Sequence, residues 1–191
     1  MKWLWRILVV VTAAAALTYF LYPRRYHLNA RIWHWRHGNT TQLGHYVIPV
    51  PSDWFVTDVP SVPRGLELVD TGFASRPRPF LGNSSVFAFV LPGGEAEKID
   101  LGPWRSRERQ LLESRGIKAI EERTIQYGDE TVVCIGGDMT VPMDATEPMS
   151  ALVSVNCGSN GPLQFLFNGF KADLPGFYGL LAQIHKTNDE Q

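Results

Sequence analysis

Four histidines near the N-terminus are the first residues whose type and spacing could serve chemistry. His27, His34, His37 and His45 lie within one short stretch, and His34 and His37 would share one face of a helix. A zinc or copper site needs neutral imidazoles that converge with further ligands, and no cysteine or carboxylate lies nearby in the sequence. We therefore predict no metal and no cofactor. A carrier of a metal or a small ligand on this histidine cluster stays as an alternative.

Nucleophilic catalysis has little support in the sequence. A serine or cysteine nucleophile needs a positioned base, usually histidine, and His185 is the one histidine after residue 45. The motifs G-x-S-x-G and H-E-x-x-H are absent. Glu121 and Glu122 are neighbours on a predicted strand, so they would point to opposite faces and could not form a catalytic pair. We predict no catalytic residues, with an envelope enzyme assembled from scattered residues as the alternative.

The two cysteines, Cys134 and Cys157, are predicted to form a disulfide. They lie on predicted strands, 130–139 and 150–157, and are equidistant from the middle of the connection between those strands. Directly opposed residues of a hairpin share one face, with side chains about 4.5–5.5 Å apart, near the upper limit for a disulfide. A disulfide would favour an oxidising compartment. Two buried, unconnected thiols are the alternative.

Residues 72–84 form the candidate binding loop. Arg76 and Arg78 alternate with prolines and lie between Phe73 and Phe80, so the segment combines a stiff backbone with charge and apolar groups. Ordered loops of this length are often functional. An ordinary proline-rich crossover that covers a sheet edge is the alternative. The glycine pair at 136–137 lacks the pattern of a phosphate loop and is interpreted as part of a strand bulge.

The charge balance separates two parts of the chain. The 191 residues are 45% hydrophobic and 19% charged, as in globular proteins. All 19 acidic residues lie beyond residue 45, whereas six of the 18 basic residues lie before it. Because the larger part is acidic and phosphate contacts need clustered lysine or arginine, we predict that the protein does not bind nucleic acid.

Residues 3–22 form a mainly apolar run with aromatic residues at both ends. Twenty helical residues span about 30 Å, the thickness of a bilayer core. Trp3 and Trp5 lie at one end of the run, and Tyr19 and Tyr22 lie at the other, where amphipathic rings prefer the headgroup level. This pattern predicts a transmembrane helix and the membrane as a partner.

The predicted organisation is a transmembrane anchor over residues 1–23, a basic juxtamembrane segment over 24–45 and a folded domain over 46–187. The localisation that follows is a single-pass membrane protein, of the bacterial inner membrane, with a periplasmic body. A cleaved signal and a buried core helix are alternatives for the apolar run. The positive-inside rule favours the opposite orientation, because more basic residues follow the run than precede it. Within 24–45, the alternation up to His37 predicts a hairpin, with a continued helix as the alternative.

The domain over 46–187 is predicted to be α+β, with one largely antiparallel sheet flanked by helices. The closing helix, 173–186, is predicted from an apolar stripe at helical spacing: Phe177, Leu180, Leu181 and Ile184. Asp173 is expected to cap it. The other predicted elements are strands over 46–50, 54–59, 67–71 and 85–91, a helix over 103–116, and strands over 117–127, 130–139, 150–157 and 163–169.

A strand that ends in Pro-x-Pro-x-x-Trp, formed by Pro49, Pro51 and Trp54, precedes this order of elements. The combination resembles the PsbP-like α/β/α sandwich over about residues 45–186. The resemblance implies an accessory or binding protein and transfers no functional residue. We therefore expect a membrane-anchored, non-catalytic accessory or binding domain of the cell envelope, with a protein partner there.

Overall fold

The structure is a computed structural model, and it describes most of the chain. The described residues are 2–21, 25–58, 65–70, 84–91, 100–127, 130–139 and 152–187. All structural statements below concern these residues.

Two helices open the chain, α1 (Lys2–Leu21) and α2 (Arg25–His37). Within the described residues, no helix combines the length and the apolar character that a membrane crossing requires. The predictions of a transmembrane helix and of a single-pass membrane protein with a periplasmic body are therefore wrong. Lys2 and Arg6 place two cations in the first five residues of α1. The remainder of α1, residues 7–21, is about 22 Å long at 1.5 Å per residue, short of a core of about 30 Å.

The segment before the domain is helical where a hairpin was the first prediction. Helix α2 runs through to His37 and ends at Gly38, which has a φ of 79° and donates its N–H to the oxygen of His34 at 2.9 Å. Glycine suits this left-handed position at a helix end. The hairpin prediction is therefore wrong, and the helical alternative is the correct one.

Seven antiparallel strands form the main sheet, in the order β3-β4-β5-β9-β8-β7-β6. The edge strands are therefore β3 and β6. The predicted run of antiparallel strands in the second half of the chain is confirmed with small shifts of its ends. The bounds are β3 (Trp54–Asp58), β4 (Gly65–Asp70), β5 (Ser85–Val90), β6 (Lys118–Tyr127), β7 (Glu130–Asp138), β8 (Leu152–Ser159) and β9 (Leu163–Phe170).

A second antiparallel sheet has three strands, β1 (Thr40–Leu43), β2 (Tyr46–Pro49) and β10 (His185–Lys186), in the order β1-β2-β10. The predicted fold class, one sheet flanked by helices and preceded by a transmembrane helix, is therefore wrong. The described fold is mixed α/β, with two antiparallel sheets and four helices. The strand predicted over 46–50 is β2, but β1 and β10, with four and two residues, were not predicted, so the sequence does not reveal that β2 belongs to a separate sheet.

Two apolar clusters lie on opposite faces of the main sheet. Helix α3 (Leu101–Ser114) covers one face, where Trp104 and Leu112 pack with Val133 and Ile135 of β7. The alternate residues of β7 belong to the larger cluster on the other face, which includes the second sheet and α4 (Leu174–Leu181). Because side chains alternate along a strand, β7 contributes to both cores.

Helix α4 is shorter than the closing helix predicted over 173–186. Phe177, Leu180 and Leu181 are buried on it as expected. Ile184 is also buried, but it lies beyond the helix end. The chain leaves the helix after Leu181 because the next residues turn to place β10 beside β2.

The predicted disulfide is confirmed. Cys134 of β7 lies directly opposite Cys157 of β8, and their sulfurs are bonded. Both residues are buried in the larger cluster. Counting residues outward from the β7–β8 connection therefore gave the correct register.

Candidate binding edge and cleft

The candidate loop residues Phe73, Arg76, Arg78 and Phe80 lie outside the described residues. The loop stays a prediction. Its neighbours β4 and β5 pair with each other inside the main sheet.

The histidine cluster does not converge on one point. Both ring nitrogens of His34 face oxygen atoms: Nδ1 lies 2.8 Å from the oxygen of Gly38, and Nε2 lies 2.9 Å from the oxygen of Pro51. Nδ1 of His37 lies 3.0 Å from the oxygen of Trp33. Across the described ranges, no group of three or more histidine, cysteine, aspartate or glutamate residues could hold a metal ion. His34 instead connects the end of α2 to the start of β3.

Ser84 and Asp173 form a partly buried contact without a histidine. The Ser84 hydroxyl donates to Asp173, and it accepts the N–H of Phe170 at 3.0 Å. Burial raises the pKa of Asp173, the hydrogen bond from Ser84 opposes this rise, and the nearby charge of Asp53 adds to it. The expected helix cap at Asp173 is wrong, since its side chain makes no cap hydrogen bond and contacts Ser84 instead. The contact joins the start of β5 to the start of α4.

Strand β6 is a long, exposed edge of the main sheet. It has ten residues, and seven of their side chains are exposed. In the part of the chain that the structure describes, β6 pairs with β7 along one side and with no strand along the other. An edge of this kind presents backbone N–H and C=O groups to a further strand. We call this side of β6 the binding edge.

A bulge interrupts the first part of the binding edge. The register with β7 shifts between Lys118 and Glu121, and Ala119 has a φ of 51°. A left-handed conformation is uncommon for alanine and costs free energy, and such positions cluster at functional sites. The bulge lies over Gly137, where an added Cβ would collide with the backbone oxygen of Lys118. The extra residue of this bulge therefore belongs to β6, opposite Gly137, whereas Gly136 and Gly137 keep a regular register with β8, so the glycines face the bulge and are not its bulged residues.

A cleft of about 200 Å³ opens between the bulged end of β6 and the start of α4. Gly136 and Val155 lie in the sheet beneath it, and Tyr178 of α4 closes one side. We call it the edge cleft, because it continues from the binding edge. Its lining residues are Ala119, Glu121, Glu122, Arg123, Gly136, Gly137, Asp138, Val153, Val155, Lys171, Leu174 and Tyr178.

Most charges around the edge cleft are matched. Lys171 Nζ lies 3.2 Å from Asp138 Oδ1, and Arg105 Nε lies 3.3 Å from Glu122 Oε1. The guanidinium of Arg123 lies 4.5 Å from the centre of the Tyr178 ring, a cation–π contact. Glu121 and Glu122 both line the cleft, and Glu122 is also paired with Arg105 of α3.

Tyr178 forms a hydrophobic and polar wall of the edge cleft. Burial raises the pKa of Tyr178, the charge of Arg123 opposes this rise, and the charge of Glu121 adds to it. The phenol is therefore protonated at neutral pH and can donate a hydrogen bond. Glu121 supplies an exposed carboxylate as an acceptor. The edge cleft thus offers one donor, one acceptor and an aromatic face.

A second polar cluster joins the two sheets. Glu130 of β7 is 5% exposed, and it accepts hydrogen bonds from Tyr46 at 3.1 Å and Tyr127 at 2.5 Å. Lys186 Nζ lies 2.6 Å from the same Glu130 oxygen as the Tyr46 hydroxyl. Burial, and then the hydrogen bond to Glu130, raise the pKa of Tyr127. We call this cluster the inter-sheet network. Its role is structural, because the carboxylate of Glu130 has a hydrogen-bond or charged partner at each of its oxygens.

Sequence reasoning missed the binding edge, the edge cleft and the inter-sheet network. Four charged residues lie at exposed positions of β6, three of them consecutive, and this density of charge could have marked an edge strand. No signal in the sequence places Lys186 beside Glu130, because 56 residues separate them. Comparison with protein-family models, with curated proteins and with solved structures finds no match to this chain.

Proposed function

We propose that this chain is a non-catalytic binding domain that captures an extended segment of a partner protein along the binding edge. The observation that carries the proposal is the long outer side of β6, which no described strand pairs. Strand addition of this kind gains affinity from backbone hydrogen bonds and specificity from side-chain pockets. The edge cleft lies where such a pocket is needed.

The size of the edge cleft supports a side chain as its occupant. Small-molecule sites usually enclose about 300–1,000 Å³, whereas this cleft has about 200 Å³. The exposed carboxylate of Glu121 favours a partner side chain that donates a hydrogen bond. Charged residues at Lys118, Glu121, Glu122 and Arg123 oppose unspecific pairing of β6 with other strands. The uncharged stretch that follows, residues 124–127, is where the added strand would pair most closely.

The disulfide supports a role in an oxidising compartment. Such bonds form and persist mainly outside the reducing cytosol. The resemblance to PsbP-like domains stays a prediction. It agrees with a binding or accessory role but adds no residue to the site.

Peptide selection on the full chain tests the proposed function. A displayed library of random peptides is selected for binding, and hydrogen–deuterium exchange then maps where the bound peptide protects backbone amides. We expect protection along β6, and we expect Glu121→Lys to weaken binding by about tenfold, equivalent to about 1.4 kcal/mol. Glu113→Lys, on the exposed side of α3, is the matched control. Protection that maps elsewhere, unchanged binding in Glu121→Lys, or no selected binder would contradict the proposal.

The exposed apolar residues of α1 support a second partner, a lipid surface. Contiguous apolar patches of this extent mark interaction sites. The exposed basic residues Arg6 and Arg31 would favour anionic headgroups. The large exposed side chains, from 41% to 73% accessible, are Trp3, Trp5, Ile7, Leu8, Val9, Val10 and Val11.

Vesicle flotation tests this contact with the full chain. We expect flotation with phosphatidylglycerol vesicles and weaker flotation with phosphatidylcholine vesicles. Trp3→Ser with Trp5→Ser should reduce it, whereas Trp35→Ser, at a residue that is 83% exposed on α2, is the control. Equal flotation of all three proteins would argue against α1 as the contact.

A further inference from the structure

A second, larger cleft lies between α2, β1 and β3, away from the binding edge. Its volume is about 420 Å³, within the range of small-molecule sites. We call it the Trp33 cleft. Its lining residues are Trp33, His37, Thr40, Thr41, Gln42, Val56 and Asp58.

Trp33 is held rigidly at this cleft. Its ring stacks on the ring of His37, with the two centroids 5.1 Å apart. It meets the ring of His34 edge-on, with the centroids 5.0 Å apart. It also packs against the larger apolar cluster. His34 is in turn tied to the backbone oxygens of Pro51 and Trp54. The aromatic surface is therefore preorganised, which reduces the entropy that a ligand must overcome.

The polar atoms of the Trp33 cleft are mainly hydrogen-bond acceptors. Gln42 uses its amide N–H to donate to the oxygen of Gly44 at 3.1 Å, which leaves its Oε1 as an acceptor. His37 donates from Nδ1 to the oxygen of Trp33, and in the tautomer that carries its proton on Nδ1 the other ring nitrogen, Nε2, is an acceptor. Asp58 adds a carboxylate, and the hydroxyls of Thr40 and Thr41 can accept or donate.

Such a set of groups suits a neutral ligand that is rich in hydroxyl donors. None of the described lining residues is a lysine or arginine, so the cleft lacks the cation that a phosphate or carboxylate ligand needs. An aromatic ring beside planar acceptors can contact the apolar face of a sugar ring while its hydroxyls donate to the acceptors. We propose that the Trp33 cleft binds a neutral carbohydrate, as a site separate from the binding edge.

Binding of neutral oligosaccharides to the full chain tests this proposal. The probes are maltotriose, cellotriose and the trimer of N-acetylglucosamine. Binding of each trimer, at millimolar concentration, is measured by isothermal titration calorimetry. We expect at least one trimer to bind and to quench tryptophan fluorescence. Asp58→Asn and Thr41→Val should each weaken binding by about tenfold.

Two tryptophans on α2 provide the matched pair for this test. Trp33→Leu should abolish binding, whereas Trp35→Leu should not change it, because Trp35 points into solvent and does not line the cleft. Trp33 also packs on the core, so Asp58→Asn, at an exposed residue, keeps the test valid if Trp33→Leu does not fold. No saturable binding of any trimer, or equal binding by wild type and Asp58→Asn, would overturn the proposal. Peptide binding at β6 is measured in a separate experiment, so the proposed function stands or falls independently of whether an oligosaccharide binds.

Discussion

Glu130→Gln is expected to destabilise the protein by about 3 kcal/mol. Glu130 accepts hydrogen bonds from Tyr46 and Tyr127 and faces Lys186 at 2.6 Å. Glutamine keeps the shape of the side chain, but it removes the charge and replaces one acceptor oxygen by a donor NH2 group. One buried tyrosine hydroxyl then faces a donor, so its own proton loses the acceptor that Glu130 supplied.

The magnitude follows from the burial of the partners. Breaking a buried ion pair by removing one side usually costs about 3–5 kcal/mol. Lys186 has a side chain that is 44% exposed, so it can turn toward water when its partner is lost. The lower end of the range is therefore expected. A hydrogen bond to a charged acceptor contributes about 1.5–3 kcal/mol, so the weakening of two tyrosine contacts gives a similar figure.

Guanidinium unfolding under non-reducing conditions measures this loss. The midpoint should fall while the slope stays unchanged, since a changed slope would indicate an altered unfolded or native state. Glu113→Gln, on the exposed side of α3, should stay within about 0.5 kcal/mol of wild type. A loss below about 1 kcal/mol for Glu130→Gln would refute the reasoning, because an exposed or already compensated carboxylate behaves in that way.

Three further predictions concern the core, the disulfide and one titrating carboxyl. Leu181→Ala should cost about 2–5 kcal/mol in a denaturant titration, because Leu181 is fully buried and its truncation leaves a cavity; a loss of about 0.5 kcal/mol would indicate an exposed face instead. Replacing Cys134 and Cys157 by alanine should cost about 3 kcal/mol, because the bond closes a separation of 23 residues in the unfolded chain; equal stability of wild type and variant would contradict this. Burial raises the pKa of the Asp173 carboxyl in the folded protein above its usual value of 3.8. The protonated carboxyl therefore stabilises the fold at a pH below 3.8, and this stabilisation is lost as the pH rises through the folded pKa. Asp173→Asn should therefore gain stability relative to wild type between pH 4 and pH 7, and an unchanged difference in unfolding free energy would count against it.

The strands β6 to β9 were predictable because their signals are local. Each strand is long enough to show an alternation, and turn residues separate them along the chain. Cys134 and Cys157 then follow from counting outward from the connection between β7 and β8. Gly136 and Gly137 marked the position of a bulge, because glycine within a strand often marks close backbone approach, but the sequence did not show that the bulged residues lie on β6.

The second sheet was not predictable as a sheet, although β2 was predicted as a strand, because β2 pairs with β10 from the opposite end of the chain. Strand β10 has two residues and follows the apolar stripe of α4 without a change in pattern, since Ile184 continues that stripe. The membrane prediction failed for a related reason. Residues 3–22 were counted as one apolar run, whereas no described helix has the length and the apolar character that a membrane crossing requires.

The inter-sheet network explains how so short a strand as β10 keeps its register. Lys186 of β10 is paired with Tyr46 of β2, and both side chains reach the same oxygen of Glu130. A slip of one residue would turn Lys186 to the opposite face, away from Glu130. Two residues of β10 offer few backbone hydrogen bonds, so a buried carboxylate that needs both partners supplies the specificity that strand length cannot. The same contact fixes β2 against the main sheet, and β2 in turn positions β1, which forms one wall of the Trp33 cleft.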